Sequence, residues 1–217
     1  MIIKQEDKAI KKYLGRLKSA IEKRFPKEFS KPLAEILYPL AKNRIISYDK
    51  IQLEKEQKDE LLFLAYNERL LLPVALKTLA WNSRPLTLRS GERYEMPPAI
   101  QYLIRHAEKT GEWSPEHAVR SYLEVIGEPN VEILLTFFQE MKRQVSRSKT
   151  LSKTKKITPV LLKRCLRNIH AKQLATKLEL GKTIAKLKGG GIISPFFLKI
   201  PEKGPCYEIN PSVFFDC

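Results

Sequence analysis

Three consecutive glycines, Gly189-Gly190-Gly191, separate two kinds of periodicity near the end of this 217-residue chain. Glycine enters backbone conformations closed to other residues, so such a run ends a helix and lets the chain turn sharply. Before it, Thr158-Pro159 caps a helix carrying Val160, Leu161, Leu162, Leu166 and Ile169. A second short helix is expected over 170–178, ending near the turn glycine Gly181, and a third over Lys182–Lys188. After the glycines, Ile192-Ile193-Ser194-Pro195-Phe196-Phe197-Leu198 reads as a strand. Pro201-Glu202-Lys203-Gly204-Pro205 is a turn, and Cys206-Tyr207-Glu208-Ile209-Asn210 is the returning strand.

Three helices followed by a two-stranded hairpin resemble the winged helix-turn-helix family over about residues 157–215. Leu174, Ala175, Leu178 and Gly181 suit a tight helix-turn-helix, in which two helices approach closely. The resemblance implies that Lys182–Lys188 is a recognition helix entering the major groove and that 200–206 is a wing on adjacent backbone or minor groove. Relatives of this fold also serve as protein-interaction modules, so the fold alone does not imply nucleic-acid binding.

The charge adds to that implication. Net charge is +16 and the isoelectric point is near 9.7. From Lys142 to Lys199 there are sixteen Lys and Arg residues and one acid, Glu179, while the rest of the chain holds 24 bases and 23 acids. A solvated face mixes signs. A cluster this unbalanced repels itself, and its natural counter-charge is a phosphate backbone whose condensed cations are released on binding. Phosphate contact is therefore expected from Arg147, Lys149, Lys153, Lys155, Lys156, Lys172, Lys177, Lys182, Lys186, Lys188, Lys199 and Lys203. Gln173 and Thr183 are the neutral candidates for base edges, and without an Arg in the third helix sequence preference should be modest.

The remaining chain is read as mainly helical. Residues 1–29 hold an amphipathic helix, with Ile10, Tyr13, Leu14, Leu17, Ala20 and Ile21 at helical spacing. Its apolar stripe lacks Trp and Phe anchors, which argues against a membrane surface. Ser30 is the expected N-cap of a helix running from Lys31 toward Lys42, and a helix over Lys55–Asn67 should bury Leu61, Leu62, Leu64 and Ala65. Leu70–Val74, Leu86–Arg89 and the following Ser90–Tyr94 read as short strands and turns, which would fit a winged-helix-like unit over 30–97. Residues 98–145 read as a helical bundle with Trp113, Tyr122, Phe137 and Phe138 in its core. The polar, basic stretch 146–156 reads as a flexible linker, followed by the C-terminal unit 157–217.

Other chemistries find little support. Gly181-Lys182-Thr183 echoes the end of a phosphate-binding loop, but the glycine required five residues earlier is Thr176. Cys165, Cys206 and Cys217 are odd in number and widely spaced, so they suit reduced thiols better than disulfides or zinc. His106, His117 and His170 fit no metal or nucleophile pattern. The chain is thus expected to be a cytoplasmic, non-enzymatic binding protein without a cofactor. It would bind double-stranded DNA, in transcription regulation or in DNA replication or maintenance, with a homodimer formed through the N-terminal or central helices. An RNA- or ribosome-associated protein and a protein–protein scaffold are the alternatives.

Overall fold

The computed structural model describes residues 2–74, 80–170, 179–196 and 206–215. The chain is mainly helical with two small antiparallel sheets. Helix α1 (Ile2–Glu22) packs on α2 (Lys27–Asn43) and α4 (Pro98–Thr110), burying Leu17, Ala20 and Ile21. Helix α2 begins earlier than the Ser30 cap expected from sequence. Pro26 precedes it, while Ser30 is buried inside and donates its hydroxyl to the Lys27 carbonyl at 2.7 Å. Helix α3 (Lys55–Asn67) buries Leu61, Leu62 and Ala65 as their spacing requires.

The bundle continues through α5 (Pro115–Val125) and α6 (Val131–Arg147). Ile100, Leu103, Ile104 and Ala107 on α4 are fully buried, as are Phe137 and Phe138 on α6. Residues 146–156, expected to be a flexible linker, are mostly helical. Helix α6 runs to Arg147, and α7 (Lys149–Thr154) starts on a cap in which the Ser148 hydroxyl accepts from the Leu151 N–H. Lys155 then takes a left-handed φ of 53° and gives its carbonyl to the Ile209 N–H at 2.9 Å. Backbone pairing with a distant strand, invisible to local composition, holds this segment.

Strand β1 (Ile45–Ser47), β2 (Leu72–Pro73) and β3 (Arg93–Glu95) form one sheet in the order β1-β3-β2. Leu86–Arg89, expected as a strand, lies outside it. Strand β4 (Lys156–Ile157), helix α8 (Pro159–His170), helix α9 (Leu180–Gly189), β5 (Ile193–Phe196) and β6 (Cys206–Ile209) follow, with sheet order β4-β6-β5. The short helix α10 (Pro211–Phe214) closes the chain.

The two sheets share more than their order. Pro73 faces Tyr94 across β2 and β3, and Pro195 faces Tyr207 across β5 and β6. Tyr94-Glu95-Met96-Pro97-Pro98 leads from β3 into α4 as Tyr207-Glu208-Ile209-Asn210-Pro211 leads from β6 into α10. Arg44 corresponds to Lys155: both have left-handed φ, 61° and 53°, and each carbonyl accepts from Met96 or Ile209, at 2.8 and 2.9 Å. Arg69 and Gly191, with φ of 55° and 67°, correspond at the entry to β2 and β5.

These equivalent turns meet each other. The Asn210 side-chain amide donates to both the Arg69 and Gly191 carbonyls, at 3.2 and 3.0 Å. Ala99 N–H donates to the Gly190 carbonyl at 2.9 Å, and its counterpart Ser212 donates its hydroxyl to the Glu68 carbonyl at 2.8 Å. Contacts that survive exchange of equivalent residues are the mark of an isologous interface, here contained in one chain. One buried hydrophobic cluster accordingly runs from Leu17 to Phe214, across all the segments into which the sequence divides.

Candidate nucleic-acid interface

Helix α8 buries Leu161, Leu162, Cys165 and Ile169 against its neighbours. The same 3.6-residue period puts Val160, Lys163, Arg164 and Arg167 on the opposite, exposed face. Val160 is 66% exposed at the head of that face. The Thr158 hydroxyl caps the helix by accepting from the Leu161 N–H at 3.3 Å. Helix α8 is fixed to α6 through the Glu140 carboxylate, which accepts from Asn168 at 2.7 Å as well as from Arg143 and Gln144. The Arg143 bonds, joined by those from Asn168 and Gln144, outweigh burial and hold the Glu140 carboxyl down at about 2.

Lys163, Arg164 and Arg167 were not among the residues singled out from sequence, although the apolar period of the helix was sufficient to find them. Arg147, Lys149 and Lys153, at the end of α6 and on α7, are exposed as well. None of these six cations pairs with an acid among the described residues. Other expected contacts are already engaged. Lys155 reaches Glu68 at 3.5 Å, and the Lys156 ammonium sits 3.6 Å from the centre of the Phe196 ring.

Helix α9, expected to be the recognition helix, buries Thr183 and Leu187 and exposes Gly181, Lys182, Ala185 and Gly189. Thr183 is 2% exposed, so it cannot offer its hydroxyl to a base edge. Lys182 is exposed but pairs with Glu179 at 2.9 Å. Lys186 does not share its outward direction. It is drawn onto the fully buried Glu128 carboxylate, and its carbonyl accepts from the Tyr122 hydroxyl at 3.1 Å. Burial alone would raise the Glu128 pKa, but the bonds from Lys186 and the Asn130 N–H hold it below the ordinary carboxylate value. Lys188 is half-buried. Lys172, Gln173, Lys177, Lys199, Lys203 and the expected wing over 200–205 lie outside the described residues.

The glycines that end α9 are needed for packing. A Cβ at Gly190 would lie 2.7 Å from the Tyr122 ring, and one at Gly191 would lie 2.5 Å from the Pro97 Cβ. The thiols of Cys165 and Cys206 are buried and free, and burial pushes Cys165 up to about 12, far from a reactive thiolate. His106 and His117 stack with ring centres 4.0 Å apart, and burial followed by the His117 charge lowers the His106 pKa. Among the described residues no group of three or more His, Cys, Asp or Glu side chains could hold a metal ion. No helix among them is long and apolar enough to cross a membrane.

Fold and site together define a mainly helical protein with two small sheets of one topology, in which unpaired exposed cations gather on α7, α8 and the end of α6. The chain belongs to a protein family whose model matches residues 15–216 and whose description assigns no function. No curated protein and no solved structure matches it.

Proposed function

We propose that this protein binds nucleic acid, with double-stranded DNA as the preferred form, through the exposed cations of α7 and α8 and the end of α6. The observation that carries this reading is the set of six unpaired, exposed cations Arg147, Lys149, Lys153, Lys163, Arg164 and Arg167 within 21 residues of chain. Holding that much like charge together costs folding energy, and a phosphate backbone relieves it by releasing condensed counterions. The order β4-β6-β5, with α8 and α9 between β4 and β5 in sequence, is in keeping with a winged helix-turn-helix. The N-terminal unit of the same sheet order is then its counterpart.

The contact surface differs from the one the family resemblance implies. Helix α9 is anchored by Thr183, Lys186 and Leu187, so α8 and α7 supply the phosphate contacts. With Lys and Arg as the exposed groups, affinity comes from the backbone and sequence preference is modest. The protein acts without chemistry of its own, in transcription regulation or in DNA replication or maintenance.

Fluorescence anisotropy with a labelled duplex, a single strand and a structured RNA across a salt series tests this reading. The duplex is expected to bind tightest, with log K falling linearly against log salt. No binding to any of the three near physiological salt would end the proposal, and tighter binding to RNA would transfer it to an RNA partner.

A further inference from the structure

The two units meet in matching ways on the two sides of their shared interface, but the two sides are filled differently. On one side Lys155 meets Glu68, and Arg69 forms an ion pair with Glu208. Each of these positions has a counterpart on the other side. Arg44 corresponds to Lys155, Gly190 to Glu68, Gly191 to Arg69 and Glu95 to Glu208. There the acid and the arginine are both replaced by glycine, and Glu95 is taken by Arg84 at 2.6 Å. Beside Gly191 and Glu95 lies a cleft of about 200 Å³. Arg44 and Lys188 stand on its rim, and neither pairs with an acid among the described residues. Its walls include Trp81, Met96, Pro97 and Ile193.

We propose that this cleft binds a phosphate group. Three cations, Arg44, Arg84 and Lys188, face one acid, Glu95, so the cleft is positive. Its volume is below the roughly 300–1,000 Å³ of sites that enclose drug-sized ligands, so it suits one phosphate and a small part of what carries it. The φ of 61° at Arg44 is a helix-ending position that favours glycine. A glycine there would remove the strain but also the cation. The proposal does not rest on the nucleic-acid reading, because none of the six exposed cations invoked there lines the cleft.

Thermal melting of the full chain in inorganic phosphate, against sodium chloride of equal ionic strength, tests it. Phosphate at about 100 times its dissociation constant should raise the melting temperature by roughly 5–10 °C, and chloride should not. Lys188→Gln should lose the shift. Arg44→Gly should lose it while melting no lower than the unsubstituted protein without phosphate, which separates loss of a ligand from loss of the fold. The variant Lys163→Ala with Arg164→Ala and Arg167→Ala should keep the shift, whatever becomes of its DNA affinity.

Duplexes with 5′-phosphate and 5′-hydroxyl ends identify the source. About tenfold tighter binding of the phosphorylated duplex, abolished in Arg44→Gly, assigns the phosphate to a nucleic-acid end. Equal binding of the two duplexes beside a retained phosphate shift assigns it to a free phosphate compound. Absence of any shift beyond the chloride control, or an equal shift in Arg44→Gly and Lys188→Gln, overturns the proposal.

Discussion

Gly191 and Glu140 show how single residues bind distant parts of this chain together. Gly191 has a φ of 67° and no room for a methyl group beside Pro97. Gly191→Ala should therefore cost at least about 1–2 kcal/mol of stability, measured by urea unfolding, from the left-handed backbone alone. Gly181→Ala, where a Cβ meets nothing within 4 Å in the first turn of α9, should be neutral or stabilising. Glu140 makes a pH-dependent contribution. Its carboxyl is held at about 2 in the fold against an ordinary 4.5, so its stabilisation is complete above 4.5 and is lost as pH falls toward 2. The melting temperature of Glu140→Gln should lie below that of the unsubstituted protein at neutral pH, and the gap should close as pH falls through that window. The glycine run was legible as a helix stop. Its second reason, the Tyr122 ring and Pro97, was not, because those residues are about 70 and 90 positions away in sequence.

Elements were legible in proportion to their length and their caps. Helices α3, α4, α5 and α6 followed from apolar spacing and from Pro98, Pro115 and Asn130 at their starts. Strands β1 and β4 have three and two residues, too few to show alternation, and exist through pairing with β3 and β6. Helix α7 was misread because its composition suits a linker, and its order comes from the Ser148 cap and from the Lys155–Ile209 backbone bond. Removing that cap in Ser148→Ala should cost about 0.5–2 kcal/mol in denaturant unfolding and raise amide exchange over 149–154. The cation site was half legible. The charge cluster was plain, but which lysines are spent on Glu128, Glu68 and Glu179 depends on packing that no local pattern carries.

At the scale of the whole molecule, the two units of like topology are one cooperative body. Arg24, in the turn between α1 and α2, donates to the Pro211 carbonyl at 2.9 Å and pairs with Glu68, and the Trp113 indole donates to the Ser212 carbonyl at 3.0 Å. Calorimetry should give a single transition, and residues 142–217 expressed alone should lack native structure, because Arg24, Glu68, Arg69 and Trp113, which bond Asn210, Pro211 and Ser212, lie outside that fragment. The six exposed cations of the second unit then act from a rigid frame. The most direct measurement is the salt dependence of duplex affinity for Lys163→Ala with Arg164→Ala and Arg167→Ala, beside Lys182→Ala alone. The triple variant should bind more weakly and lose about three units of the log K against log salt slope, one for each phosphate contact, while Lys182→Ala changes little. An unchanged slope and affinity in the folded triple variant would contradict the account.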